Sequence, residues 1–382
     1  MKCLIILRGL IEREKRDWVR SEGLDCFYIS LNHLRTLFSR PERVGSRIVL
    51  TKSRDDNAYK SFLEVLISRM SSGNLVVVDM CGEPTGMVED LAVIFGYTVF
   101  NKCFQIPFDF EKKYRSYLGC KFMFPTRDHV KKMIERERAL TYGNQIGSAK
   151  EICTKHTPTV VDPNSKVLVF GDVHSNYSKV KEVLDQNKPD LTVFLGDYID
   201  GTEEGGSRKM IDYIISAPEN TIFLSGNHEL RLQKWLGVCW MRLKGRKLTA
   251  SILEETLPSD FMNTTMKEFS DLTGNDYENL LRNLARILKP YYVFQKGDKK
   301  FICSHVGMES LDKINNFFIG DLTYTNDNPD KLDDRFSRLY AGKEVYSVHG
   351  HCKYPSGSEF TKYPRTINLD SENDSTLNHI IL

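Results

Sequence analysis

The chain has 382 residues, enough for two domains that each bury a core of their own. Charged residues make up 27% and apolar residues 41%, which excludes a disordered or fibrous protein, and a net charge of +2 excludes nucleic-acid binding through a global field. The nine Cys form no C-x-x-C pair, which points to free thiols in a reducing compartment.

In chain order, the first apolar stretch (residues 3–7) is interrupted by Arg8. It is too short for a signal peptide or a membrane span, so a buried strand and a cytoplasmic protein are expected. A polar helix over 12–21 and a short strand over 26–29 follow. Next come a helix over 58–70, a strand over 75–78, a helix over 89–95, a strand over 98–105 and a charged helix over 127–140. Strands alternating with helices predict an α/β unit with a parallel sheet. A phosphate-cradling loop would sit after the first strand, and it needs G-x-x-x-x-G-K-[ST]. Here Gly9 and Lys15 are present, the second Gly is missing, and Glu12 and Glu14 would repel phosphate. The stretch 141–166, with Gly143, Gly147, Pro158 and Pro163 and no periodicity, reads as a linker. The expected domains are therefore 1–148 and 149–382, the second opening with a strand over 167–170 and carrying a helical insertion over 232–290.

Five apolar stretches in the second half (VLVF, TVFL, TIFL, KKFICS and EVYSV) are each followed by side chains that bind hard cations. These are Asp172 and His174 in GDVH, Asp197 in GDYID, Asn227 and His228 in GNHE, His305 in SHVG and His351 in HGHC. An open α/β sheet binds its ligands in loops at such strand ends. Oxygen donors mixed with imidazole suit two divalent ions, Mn first and Fe, Ni, Zn or Mg as alternatives. Asp172 and His174 leave a strand on one side and reach one ion. Asp197 is placed to bridge two ions and Asn227 to bind the second. His228 would face the substrate as a general acid. Singly, each motif also reads as a turn, a helix cap or a hydrogen-bonded structural His, and Glu229 reads as a cap. The order of the set, at spacings of 25, 30, 78 and 46 residues between Asp172, Asp197, Asn227, His305 and His351, argues against coincidence. Two adjacent ions clamp a phosphoryl group and activate water, so a phosphoesterase is expected.

The set resembles the calcineurin-like metallophosphoesterase superfamily, whose pattern runs D-x-H, G-D-x-x-D, G-N-H-[DE], H and G-H. The resemblance covers roughly residues 166–382 and implies an α/β/β/α sandwich with two metals held at one edge. It implies that Asp172, His174 and Asp197 hold one ion, and that Asp197, Asn227, His305 and His351 hold the other. His228 with Asp200 resembles the acid dyad of the phosphoprotein-phosphatase branch. The segment TINLDS (366–371) resembles the strand after G-H in that branch. His349 would lie behind the ligands or on the substrate side. One residue departs from the branch pattern G-D-x-V-D-R-G: Gly201 stands where an Arg would grip the phosphate. A bidentate Arg contributes strongly to phosphate binding, so another cation has to substitute. Arg231 and Arg208 are candidates, though both also read as solvated surface residues.

The first domain resembles the 5′-kinase domain of polynucleotide kinases, through LRGLIEREKRDWVR and FYISLNHLR, with Trp18 and Arg20 in place. VVVDMCGEP, GYTVFNKCFQIPF and FPTRDHVKKM resemble its later strands and lid. Both catalytic motifs are broken, because the loop lacks G-K-[ST] and Leu31, Asn32 and His33 stand for the family's R-D-D. Asn32 cannot serve as a base. The resemblance therefore implies a P-loop-kinase-like pseudokinase. Lys112, Lys113, Arg115, Lys131, Lys132, Arg136 and Arg138 suit a nucleic-acid backbone or a solvated helix face. Arg242, Lys244, Arg246 and Lys247 beside Trp240 suit single-stranded nucleic acid or surround a buried Trp. A kinase-like domain followed by a metallophosphoesterase is the order found in bacterial polynucleotide kinase–phosphatase RNA-repair enzymes. The implied function is removal of 3′-phosphate or opening of 2′,3′-cyclic phosphate at nucleic-acid ends, RNA favoured, with a ligase as a separate partner and no membrane. Protein Ser/Thr phosphatase and dinucleotide polyphosphate hydrolase are alternatives, and a non-catalytic nucleic-acid-binding module is a further one.

Overall fold

The computed structural model describes residues 2–38, 41–44, 47–50, 55–71, 75–117, 127–139, 143–152, 158–243, 245, 262–307, 329–351, 362–370 and 377–382. It divides into two compact units, Lys2–Thr154 and Lys155–Leu382. Among the described residues no helix is long and apolar enough to cross a membrane.

The first unit runs β1 (Cys3–Arg8), α1 (Glu12–Ser21), β2 (Tyr28–Ser30), α2 (Leu31–Phe38), β3 (Pro41–Val44), β4 (Arg47–Leu50), α3 (Asp55–Ser71), β5 (Val76–Asp79), α4 (Gly86–Ile94), β6 (Thr98–Cys103), α5 (Phe110–Tyr117) and α6 (Arg127–Ala139). Four strands form a parallel sheet in the order β2-β5-β1-β6, and β3 pairs antiparallel with β4. Both β1 and β5 are buried along their whole length, as parallel strands covered on two faces must be.

Polar groups at the carboxyl ends of these strands are used up within the unit. Lys15 Nζ lies 2.5 Å from Asp79 Oδ1, and both side chains are fully buried. Asp79 also accepts the Cys81 N–H and the Tyr28 hydroxyl. Gly9 donates its N–H to Glu137 on α6, and Asn32 bonds Glu12 and Arg35. The buried Arg8 fork reaches Asn101, Thr85 and Glu89, and Arg136 donates to the Gly82 carbonyl.

The second unit runs β7 (Thr159–Val161), β8 (Val167–Phe170), α7 (Tyr177–Asn187), β9 (Leu191–Phe194), α8 (Gly206–Ser216), β10 (Thr221–Phe223), α9 (Asn227–Leu243), α10 (Met262–Glu268), α11 (Gly274–Ile287), β11 (Tyr291–Lys296), β12 (Lys299–Ser304), α12 (Pro329–Leu339), β13 (Val345–His349), β14 (Thr366–Asn368) and β15 (His379–Ile381). One sheet has the order β10-β9-β8-β15, parallel except for β15; the other has the order β14-β13-β12-β11-β7, with only the β11–β12 pair antiparallel. The two sheets share one apolar core. Val167, Val169, Val193 and Leu195 come from the first, and Phe294, Phe301, Cys303, Val348 and Ile367 from the second.

β7 lies inside the stretch read as linker. It is an exposed three-residue edge strand, paired only with β11, and so leaves no hydrophobic periodicity. The helical insertion is formed by α9, α10 and α11, with 246–261 outside the described residues.

Candidate metal centre

The loops at one end of the two sheets bring the spaced motifs together. Asp172 follows β8, Asp197 follows β9, Asn227 opens α9 after β10, His305 follows β12 and His351 follows β13. One ligand atom each from Asp172, His174 and Asp197 lies within 4.8 Å of the others, and the same holds for Asp197, His305 and His351. Asp197 belongs to both groups, so a single carboxylate stands between two cation positions. Asn227 Oδ1 lies beside the second group, 3.0 Å from His305 Nε2.

The backbone is strained here. His174, Ser175, Asp197, Asp200 and His351 all adopt left-handed φ angles between 43° and 65°. Such conformations cost about 1–3 kcal/mol each in non-glycine residues and persist where surrounding structure imposes them. Gly350 shows the tightness, because a Cβ there would overlap the Asp172 carboxylate.

The donor set fits divalent cations. The fully buried His305 has no hydrogen-bond partner at Nδ1, whose nearest acidic oxygen, Asp172 Oδ1, is 3.9 Å away. Its Nε2 faces two acceptors, Asn227 Oδ1 and Asp197 Oδ1 at 3.3 Å. Burial, and then Asp370, push the Asp172 carboxyl well above its ordinary pKa. Burial also opposes charge on Asp197, yet His305 and His228 hold its pKa below the usual range. Burial, followed by His305, brings His351 down to about 4, which leaves its imidazole neutral with a lone pair free near neutral pH. Buried carboxylates crowded at one place are relieved by a bound cation.

Beside this set, His228 Nδ1 is 2.7 Å from Asp200 Oδ2. A carboxylate only accepts, so Nδ1 carries the proton, and Nε2 lies 3.6 Å from Asp197 Oδ2 on the metal-group side. Burial works against the imidazolium, but Asp197 and the bond to Asp200 raise the His228 pKa above its ordinary value. Glu229, which the sequence offered as a helix cap, does more. Its buried carboxylate accepts the N–H groups of Asp197, Tyr198 and Gly226, fastening the GDYID turn to the GNHE turn.

The candidate substrate contacts separate. Arg231 is exposed and pairs with no acid among the described residues. Arg208 is committed to Asp212 and Asp271, with its guanidinium over the Phe269 ring. His349 lies behind the ligands: it is buried, with Nε2 on Asp333 of α12 and Nδ1 on the Gly350 carbonyl, so a substrate cannot reach it. Trp240 is buried and donates to Glu278, while Lys244, Arg246 and Lys247 fall outside the described residues. At Gly201 a Cβ would overlap the carbonyl oxygen of His174, so no arginine fits this backbone. Thr265, which no motif marked, reaches the site from the insertion: its hydroxyl bonds Asp200 Oδ1 at 2.5 Å.

Residues 165–373 match the family model described as calcineurin-like phosphoesterase. A stretch of 107 residues is 32% identical to serine/threonine-protein phosphatase PP1-delta of Caenorhabditis elegans, spanning 26% of this chain and only 35% of that relative's length. Two solved structures are also similar. A putative diadenosine tetraphosphatase has 17% identity and a TM-score of 0.35, covering 59% of this chain and 94% of that one. A protein serine/threonine phosphatase from Saccharomyces cerevisiae, with similarity to human phosphatase PP5, has 13% identity and a TM-score of 0.35, covering 64% and 82%. The family match spans more than half of the chain and contains both groups of candidate ligands, which together could hold two metal ions, so the chain belongs to the calcineurin-like phosphoesterases.

Proposed function

We propose that the second unit hydrolyses phosphate monoesters or 2′,3′-cyclic phosphate at nucleic-acid ends, RNA favoured, with Mn as the metal. The observation that carries the catalytic reading is the His228–Asp200 pair set beside the two donor groups that share Asp197. Asp172, His174 and Asp197 would hold one ion, and Asp197, Asn227, His305 and His351 the other. When bound, the pair of ions withdraws charge from the phosphoryl oxygens and lowers the pKa of an attacking water. The chain's own groups do the rest. Asp200 fixes the His228 ring through Nδ1, and Nε2 delivers a proton to the departing ester oxygen. Glu229 holds Asp197 and the GNHE turn in register, and His349 with Asp333 steadies the turn bearing His351.

The nucleic-acid reading draws its support from the first domain. The chain 1–148 is proposed as a kinase-like platform without phosphotransfer activity. Two commitments support this: Lys15 is drawn into a buried pair with Asp79, and the Gly9 N–H is taken by Glu137. No phosphate contact is available from either as they stand. The 32% identity to a serine/threonine-protein phosphatase favours phosphoprotein as a second reading.

The test is the Mn-loaded chain assayed on 3′-phosphate RNA, 2′,3′-cyclic-phosphate RNA, a phosphoserine peptide and a dinucleotide polyphosphate. Preferential turnover of the RNA ends is expected. Turnover of the peptide alone would replace the first reading with the second.

A further inference from the structure

Asp200 orients His228 with one oxygen, and its other oxygen is held by a part of the chain that no motif includes. We propose that Thr265, on α10 of the insertion, is a positioning residue for the His228–Asp200 pair. This rests on the reading of His228 as the general acid.

Donors and acceptors assign the direction of every bond around Asp200. Thr265 Oγ1 lies 2.5 Å from Asp200 Oδ1, 2.9 Å from Ser207 Oγ, and Ser207 Oγ lies 2.8 Å from Ser175 Oγ. Two backbone donors enter from the other side: Gly201 N–H to Ser175 Oγ and Asp200 N–H to Ser207 Oγ. Each hydroxyl has one proton to give, and a carboxylate only accepts. The protons therefore run one way. Ser175 gives to Ser207, Ser207 gives to Thr265, and Thr265 gives to Asp200.

All three side chains are buried, so water does not compete for these groups, and aligned hydrogen bonds polarise one another. With Thr265 on Oδ1 and His228 on Oδ2, the carboxylate has no freedom to turn, and the imidazole is pinned through Nδ1. Asp200 is itself in the left-handed region, so its backbone alone does not hold this orientation cheaply. The helix that brings Thr265 is latched in turn. Glu268 accepts the Arg208 backbone N–H, and the Arg208 guanidinium lies over Phe269 and pairs with Asp271. This gives Arg208 a place in holding α10.

A positioning role and a merely structural one separate by leaving group. A proton donor matters for a poor leaving group and hardly at all for 4-nitrophenolate. In the Mn-loaded full chain, Thr265→Val should lower kcat on an alkyl phosphate by about tenfold, a fraction of what a whole general acid contributes. It should change kcat on 4-nitrophenyl phosphate little, and Thr265→Ser should restore the alkyl rate. In the metal-free protein, the downfield NMR signal of the His228 Nδ1 proton should broaden or vanish in Thr265→Val and return in Thr265→Ser. Equal losses on both substrates, or an unchanged proton signal, would overturn the proposal. His228→Ala is the control for the reading beneath it. If that variant shows no leaving-group dependence, His228 is not the acid. If it does and Thr265→Val does not, only the role of Thr265 fails. Should Thr265→Val not fold, Ser207→Ala, one hydroxyl further back, carries the same test, and equal losses on the two substrates would count against the proposal.

Discussion

In each unit of this molecule parallel strands end in a cluster of charge, and the two clusters behave in opposite ways. At the carboxyl ends of β1, β2 and β5, every named group has found its counterpart: Lys15 with Asp79, Gly9 N–H with Glu137, Arg35 with Glu83. At the ends of β8, β9, β12 and β13, acidic oxygens and imidazoles converge, a buried ring nitrogen has no partner, and the backbone is left-handed at five positions named above. A cluster that neutralises itself has nothing left to offer a ligand. A cluster that keeps its charges unreconciled and its backbone strained needs something from outside. Parallel strand ends therefore yield a self-satisfied edge in one unit and a binding edge in the other.

The contrast can be broken from either side. The largest effect is expected from taking away the cations. Chelation should abolish phosphoester hydrolysis in a standard assay, and Mn should restore it. Asp197→Asn, which removes the shared carboxylate, should lower kcat by on the order of 10³-fold even with Mn present. Calorimetry should also show the melting temperature of the second unit rising with Mn.

Next is the buried pair of the first unit. Lys15→Met strands Asp79 in the interior and should cost about 3–5 kcal/mol of that unit's stability in urea titrations, with kcat of the second unit unchanged. The double variant Lys15→Met/Asp79→Leu should recover most of the loss. If the single variant is as stable as the parent, the pair does not hold the edge closed.

Gly201→Arg offers a third test. Restoring the residue type that the phosphoprotein-phosphatase pattern carries should not improve phosphate binding. It should displace the His174 carbonyl and lower kcat by about 10²-fold, the scale of a 1 Å misplacement. A lower KM would show that the loop yields. The smallest effect belongs to Arg231→Ala, expected to raise KM roughly threefold at unchanged kcat, as an exposed charge would.

The ligand positions were legible because each follows an apolar strand by one to four residues, so a local pattern carries the geometry. The helix over 12–21 and the strands over 3–7 and 98–105 were equally legible from periodicity, and α1 (Glu12–Ser21) has the bounds that the pattern gave. What failed to show had two causes, partners distant in sequence and strands too short to leave a pattern. Thr265 is 65 residues from Asp200 in sequence and sits in a helix with no motif. β7 is too short and exposed to alternate, and β3 and β4 have only four residues each. Glu229 does cap the start of α9 through the Gly226 N–H, but its two other partners lie about 30 residues back, where no local pattern points. His349 shows the reverse difficulty. A metal motif surrounds it, but its bond to Asp333 on α12 takes it out of reach of substrate, and only the fold shows that.

Gly201 also limits what this sequence can become. A side chain at position 201 and the present path of His174 exclude each other, so no single substitution leads from this chain to a clamp at that position. Drift would first have to lengthen or re-route the 172–176 loop, which carries two of the candidate ligands. A phosphate-gripping residue is more readily acquired on another element, such as the first turns of α9, where the exposed Arg231 already stands. The route back runs through the loop, not through the residue.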